Sequence, residues 1–214
     1  MSKHTRARDG TVFVVEDDDA LADALGFLLE SRGLPVRRFD SAEGFLQLVN
    51  DSPAWPERPA CLLLDVRMRG MSGLELFDLL QREHPALAAP VVFLSGHGDI
   101  RMAVDAVKRG AFDFFEKPFS DNRLADRLIE ALDDSARRIA AARGAAGVES
   151  RLARLSARER EVMDRVLEGR SNKLIAQDLG ISMRTVEVHR SNVFAKMEVR
   201  SAVELARLLA PGEA

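Results

Sequence analysis

Short apolar runs alternate with amphipathic stretches over the first part of the chain, up to about residue 119. Thr11–Val15, Pro35–Arg38, Cys61–Leu64, Pro90–Leu94 and Phe112–Phe115 are rich in β-branched, aromatic and leucine residues, and are predicted as strands. Between them, Ala20–Ser31, Ala42–Val49, Leu74–Glu83 and Ile100–Lys108 carry apolar residues at helical spacing. Regular strand–helix alternation predicts a parallel sheet covered by helices on both faces. The runs CLLLD and PVVFLS are continuously apolar, as strands buried on both sides require. In such sheets a ligand sits beyond the carboxyl ends of the strands. The residues there are Glu16-Asp17-Asp18, Asp65 and Ser95, with Lys117 just past the fifth strand.

After Lys117-Pro118-Phe119 the pattern becomes helical from about Asn122 and is expected to continue to about Ala142. The stretch GAAG at 144–147 is the expected break, with Gly144 and Gly147 as helix stoppers. The expected organisation is therefore a first domain over 1–133, a helical linker over 134–150 and a second domain over 151–214. The second domain reads as helix and turn throughout. Ser156-Ala157-Arg158-Glu159 and Ser201-Ala202-Val203-Glu204 have the form of capping boxes, and Ser171 and Ser182 are placed as caps of two further helices. The latter two helices are separated by only Leu179-Gly180-Ile181-Ser182, the geometry of a helix-turn-helix. The fold class is thus α/β, a doubly wound parallel sheet, followed by an all-α helix-turn-helix domain.

Charge sharpens this division. Residues 1–134 hold 16 Lys and Arg against 24 Asp and Glu, net −8, whereas residues 135–214 hold 15 against 10, net +5. A basic second half favours a polyanionic partner. The longest apolar runs fall far short of the ~18 residues of a membrane span, so no membrane association is expected. The single cysteine, Cys61, leaves no intramolecular disulfide to form, and a reducing, cytoplasmic location is expected.

Glu16, Asp17 and Asp65 gathered at strand ends would repel one another, so the site needs a cation. All-oxygen ligands that leave room for water suit Mg²⁺. A carboxylate beside that ion can attack a phosphoryl donor to form an aspartyl phosphate, with Lys117 and Ser95 placed to meet the phosphoryl oxygens. Asp18 reads as a helix cap and His97 as a loop residue.

The combination VFVVEDD, LLLD, LSGHGD and FFEKPF resembles a response-regulator receiver domain over about residues 9–125, and SGHGD resembles the FixJ-type subgroup. The resemblance implies that Asp65 is the phospho-acceptor and that Glu16 and Asp17 form the acidic pair, with Asp17 the direct Mg²⁺ ligand. It further implies that Arg67 contributes its backbone carbonyl to the metal, that Ser95 is the hydroxyl position, and that Lys117 is the lysine. Glu16 stands where many receivers have Asp, and its longer side chain is expected to reach the metal through water. Phe114, at the aromatic switch position, lacks a hydroxyl, so a switch there works by ring packing alone. An aspartyl-phosphate phosphatase of the haloacid dehalogenase type would carry a second Asp where this chain has Arg67. Binding, not substrate turnover, is the expected output.

LSARERE, GRSNKLIAQDLGIS and RTVEVHRSNVFAKM resemble the LuxR/FixJ-type helix-turn-helix over about Leu155–Leu208. On its third helix, Val186, Val193 and Met197 form one stripe predicted to be buried, while Arg184, Glu187, Val188 and Ser191 form the opposite face. Such a face is what a recognition helix presents to the major groove, where Glu187 can accept from a cytosine amino group and Val188 can touch a thymine methyl. Lys173, Thr185, Arg190 and Lys196 are suited to phosphates. RNA is a poorer fit, because exposed aromatics for base stacking are lacking and Phe194 is expected in the core. The resemblance implies a sensor histidine kinase, promoter double-stranded DNA and RNA polymerase as partners. It also implies a homodimer on phosphorylation, formed by the face around residues 100–125 that carries Met102, Val104, Val107 and Phe112.

Overall fold

The computed structural model describes residues 10–52, 55–85, 87, 89–96 and 100–210. The strands are β1 (Thr11–Val15), β2 (Val36–Phe39), β3 (Ala60–Asp65), β4 (Val91–Ser95) and β5 (Asp113–Glu116), with helices α1 (Asp19–Ser31), α2 (Ala42–Asp51), α3 (Gly73–Glu83) and α4 (Ile100–Lys108) between them. They form one parallel sheet in the order β2-β1-β3-β4-β5. Each predicted element is present, with ends displaced by a residue or two.

Alternation along the strands divides the core into two layers. Phe13, Val15, Leu62, Leu64, Val91 and Phe93 face α2, α3 and α4, where Phe45, Leu76, Phe77 and Ala106 meet them. Their neighbours Val12, Val14, Cys61, Leu63, Val92 and Leu94 face the other way, onto Leu25 and Leu29 of α1 and onto Leu124, Leu128 and Leu132. Each fully buried leucine of these layers contributes about 1.5–3 kcal/mol. Because both faces are covered, the polar groups at the strand ends are the natural site for chemistry. The sheet order reverses between β1 and β3, which opens a crevice at their carboxyl ends. Cys61 is fully buried in the second layer, and burial pushes its thiol far above the ordinary range.

The expected break at 144–147 is absent. A single helix, α5, runs from Asp121 to Ala153 through both Gly144 and Gly147. A glycine costs a helix only about 1 kcal/mol relative to alanine, and the flanking IAAAR and AA segments are strong helix formers. The chain divides into two compact units within this helix, one ending at Ala140 and the other beginning at Ala141.

The second unit contains α6 (Ala157–Leu167), α7 (Asn172–Leu179), α8 (Met183–Met197) and α9 (Ala202–Leu209) around Val162, Ile175, Val186, Val193, Met197 and Leu205. Ser156 and Glu159 form a reciprocal capping box. The box expected at Ser201 is half made: Ser201 accepts from the Glu204 N–H, but the Glu204 carboxylate takes the N–H of Arg200, one residue earlier. Helix α7 stops at Gly180, whose φ of 63° is left-handed and turns the chain into α8.

Candidate functional site

Two neighbouring strand ends place the acidic residues. Glu16 follows β1 and Asp65 ends β3, and the pairing of Val15 with Leu64 sets them side by side. Both are buried, with 3% and 7% of their surface exposed. One oxygen from each of Glu16, Asp17 and Asp65 lies within 4.8 Å of the others. Asp18 caps α1, accepting from the N–H groups of Ala20 and Leu21 at 2.9 and 3.1 Å.

Lys117 approaches from the far side of the sheet. Its N–H donates to the Ser95 carbonyl at 2.7 Å, which continues the β4–β5 ladder past Glu116. Its Nζ lies 2.9 Å from Glu16 Oε2 and 3.1 Å from Asp65 Oδ1. Burial, reinforced by the negative charge of Asp65, raises the Glu16 carboxyl above its ordinary value against the pull of the Lys117 hydrogen bond. Burial opposes the charge on Lys117, yet its hydrogen bond to Glu16 and the charge of Asp65 hold the ammonium above its ordinary value. Asp17 has a different partner: its Oδ2 accepts from both the backbone N–H and the Nε–H of Arg69, at 3.0 and 3.1 Å. The Arg69 N–H, with the guanidinium beside it, holds the Asp17 carboxyl below the usual range.

Ser95 is fully buried at the end of β4, and its hydroxyl donates to the Gly96 carbonyl at 3.2 Å. Phe114 is half-buried on β5, its ring 6.4 Å from that of Phe93. Arg67 is exposed, two residues beyond Asp65. His97 lies outside the described residues. On the expected dimer face, Val104 and Val107 are about half exposed, whereas Met102 and Phe112 are half-buried against the core.

Two residues that shape this pocket carried no signal in the sequence. One is Arg69, since nothing in the spacing tells it from Arg67. The other is Gly73, the first residue of α3. Its N–H donates to the Val66 carbonyl at 3.2 Å, and a Cβ there would lie 2.1 Å from the carbonyl oxygen of Asp65.

In the second unit, Val186, Val193 and Met197 are buried, and Arg184, Glu187, Val188 and Ser191 are exposed together on α8. Val188 is 54% exposed. Lys173 is exposed near the start of α7. Thr185 bonds the Ser182 hydroxyl at 2.8 Å, and Arg190 donates to Asn172 Oδ1 at 2.7 Å while lying over the half-buried Phe194 ring. Lys196 is engaged inside the domain, its Nζ 2.6 Å from the buried Glu159. Glu159 thereby closes two structures at once, the α6 cap and an ion pair to α8.

That double role has a pH signature. The Lys196 hydrogen bond and the Ser156 N–H hold the Glu159 carboxyl at about 2, below its ordinary 4.5. A carboxyl lowered in the folded state adds stability that is complete above its unfolded value and disappears as the pH falls towards the folded one. Glu159→Gln is expected to destabilise the second unit by about 2 kcal/mol at pH 7, with the difference closing between about pH 4.5 and 2. Urea unfolding followed through the methyl signals of Val162 and Val193 measures it; a deficit independent of pH would contradict the ion pair.

Similarity to known proteins follows the same division. Residues 12–129 match the response regulator receiver domain, and residues 153–209 match the bacterial regulatory proteins of the luxR family. The chain belongs to the response regulators. Along its length it is 49% identical to the C4-dicarboxylate transport transcriptional regulatory protein DctR of Rhodobacter capsulatus, covering 92% of this chain and 98% of that protein. It is 41% identical to the transcriptional regulatory protein FixJ of Bradyrhizobium diazoefficiens, over 93% of this chain and 94% of that one. Among solved structures, the response regulator StyR aligns with a TM-score of 0.84 at 40% identity, covering 94% of this chain and 98% of StyR. This response regulator is a phosphorylation-regulated transcription regulator, with a receiver domain and a LuxR-type DNA-binding domain. Receiver domains bind Mg²⁺ at an acidic pocket, and the oxygen cluster of Glu16, Asp17 and Asp65 has the donor chemistry for a hard divalent ion. Among the described residues no helix is long and apolar enough to cross a membrane.

Proposed function

We propose that Asp65 is the residue phosphorylated in this response regulator and that a sensor histidine kinase supplies the phosphoryl group. The observation that carries this reading is the convergence of Glu16, Asp17 and Asp65 at the carboxyl ends of β1 and β3, with Lys117, just past β5, lying against Glu16 and Asp65. An Asp65 carboxylate oxygen bonds to phosphorus as the bond between phosphorus and the donor nitrogen breaks, and that nitrogen keeps the electron pair. Asp17 and Asp65 would hold Mg²⁺ directly, Glu16 through water, and Arg67 through its backbone carbonyl. The ion would neutralise the phosphoryl oxygens. Lys117 is already within 3.1 Å of Asp65, so its ammonium meets the new charge with little movement. The Ser95 hydroxyl turns from the Gly96 carbonyl to a phosphoryl oxygen, and the ring of Phe114 repacks against the space that is left.

The remaining roles follow the two units. The face with Val104 and Val107 forms a homodimer when Asp65 is phosphorylated, which places two α8 helices about one turn of DNA apart, ~34 Å. Arg184, Glu187, Val188 and Ser191 read promoter bases, and Lys173, Thr185 and Arg190 contact phosphates. Lys196 is left out of this set because Glu159 holds it. RNA polymerase is the downstream partner, and the cytoplasm is the compartment where DNA and kinase meet. Residues 1–133 act as the receiver, 134–150 as the helical joint and 151–214 as the DNA-binding domain. The output is binding, not turnover.

Mass spectrometry after treatment with acetyl phosphate and Mg²⁺ tests the acceptor. The wild-type chain should gain one phosphoryl group, located by peptide mapping to Asp65, and Asp65→Asn should gain none. A wild-type chain that stays unmodified, or a variant modified as fully as wild type, overturns the assignment.

A further inference from the structure

The pocket's three carboxylates are not balanced by the same cation. Lys117 lies against Glu16 and Asp65, whereas Asp17 is held by Arg69, which stands 52 residues away in sequence, in the loop between β3 and α3. The hold is threefold. Asp17 Oδ2 accepts from the Arg69 N–H at 3.0 Å and from its Nε–H at 3.1 Å, and a terminal guanidinium nitrogen donates to the Asp17 carbonyl at 3.2 Å. The two partners differ in exposure, with the Arg69 side chain 86% exposed and that of Asp17 only 18%. The loop has a second, independent anchor, since the Met71 N–H donates to Glu43 Oε1 at 3.1 Å. The guanidinium can therefore leave, or be removed, without releasing the loop.

These contacts fix the sign of the effect on a metal. A divalent ion at Asp17 meets a carboxylate that already has a cation on it. If the guanidinium stays, like charges repel across a few ångströms; if it leaves, its ion pair and its hydrogen bonds to Asp17 are lost. Both routes weaken metal binding. The cost is modest, because an ion pair with so exposed a partner is worth little. A dication can displace it.

We propose that Arg69 is a tethered counter-ion of the metal-free pocket, which yields Asp17 Oδ2 when Mg²⁺ binds and so sets the Mg²⁺ concentration at which the pocket fills. This inference rests on the reading that Glu16, Asp17 and Asp65 bind Mg²⁺. Arg69 acts through Asp17 and is a positioning residue, not a group that touches the phosphoryl donor.

Calorimetric titration of the full-length protein with Mg²⁺, for wild type and Arg69→Ala, tests the affinity. The variant is expected to bind about fivefold more tightly, the most that a weak exposed pair withholds. A ¹⁵N NMR titration of the wild type, which follows the Arg69 Nε–H and the amides of Val66 and Lys117, tests the displacement. The Nε–H signal should move and exchange faster with water as Mg²⁺ saturates. Equal or weaker binding by Arg69→Ala overturns the proposal. So does an Nε–H signal that is unchanged while Val66 and Lys117 shift, and in that case the metal pocket itself survives. Silence at Val66 and Lys117, with no heat of binding, removes the pocket and the proposal together.

Discussion

Gly73→Ala is expected to lower the stability of the receiver domain by about 3 kcal/mol and to impair phosphorylation of Asp65 at the same time. The added Cβ would lie 2.1 Å from the carbonyl oxygen of Asp65, and its neighbour there is backbone, not a side chain that can swing away. Either α3 retreats, losing the Gly73 N–H bond to Val66 and the packing of Leu76 and Phe77, or the end of β3 moves and takes the Asp65 carboxylate with it. The chain's single tryptophan provides a selective probe. Trp55 packs edge-on against Phe13 and Phe45, with ring centroids 5.1 and 5.4 Å away, so its fluorescence reports on the receiver alone. A urea midpoint equal to that of wild type would show that α3 shifts freely, and the close approach would then have no functional weight.

Lys117→Met is expected to make folding depend on divalent metal. In its absence Glu16 and Asp65, both buried, lose the ammonium that now stands 2.9 and 3.1 Å from them. Removing one partner of a buried ion pair typically costs about 3–5 kcal/mol. The quarter exposure of the Lys117 side chain brings the expected loss to the bottom of that range or just below it, about 2–3 kcal/mol in chelator. Mg²⁺ should restore most of it, because the ion supplies the missing positive charge. Lower pH should also help, since the Glu16 carboxyl is raised by burial and protonation relieves the repulsion. Thermal melts followed by Trp55 fluorescence, with chelator and with excess Mg²⁺, measure the difference. A variant as stable as wild type in chelator would mean that the carboxylates do not depend on Lys117 for charge balance.

The strand and helix positions were legible because burial on two faces leaves a plain trace: continuous apolar runs for β3 and β4, and helical spacing between them. The acidic pocket is legible for a related reason. Charged residues directly after such runs stand at strand ends, and a parallel sheet brings all its carboxyl ends to one edge. That edge collects Glu16, Asp17, Asp65, Ser95 and Lys117, and the caps at Asp18, Ser156, Ser171 and Ser182 are legible in their local hydrogen-bond chemistry. Helix α5 continues through Gly144 and Gly147, where the two glycines alone imply a break, because the alanines around them favour the helix more than the glycines oppose it.

What the order of residues determined by itself is everything that depends on neighbours along the chain: the periodicity of each element, the caps that start the helices, and the short turn before α8. Only the tertiary structure decided which side chains meet across distance. It paired Arg69 with Asp17, directed Lys196 inward to Glu159, and pressed Gly73 against the carbonyl of Asp65. Local patterns cannot encode these contacts, because each joins segments whose approach is set by how the whole core packs.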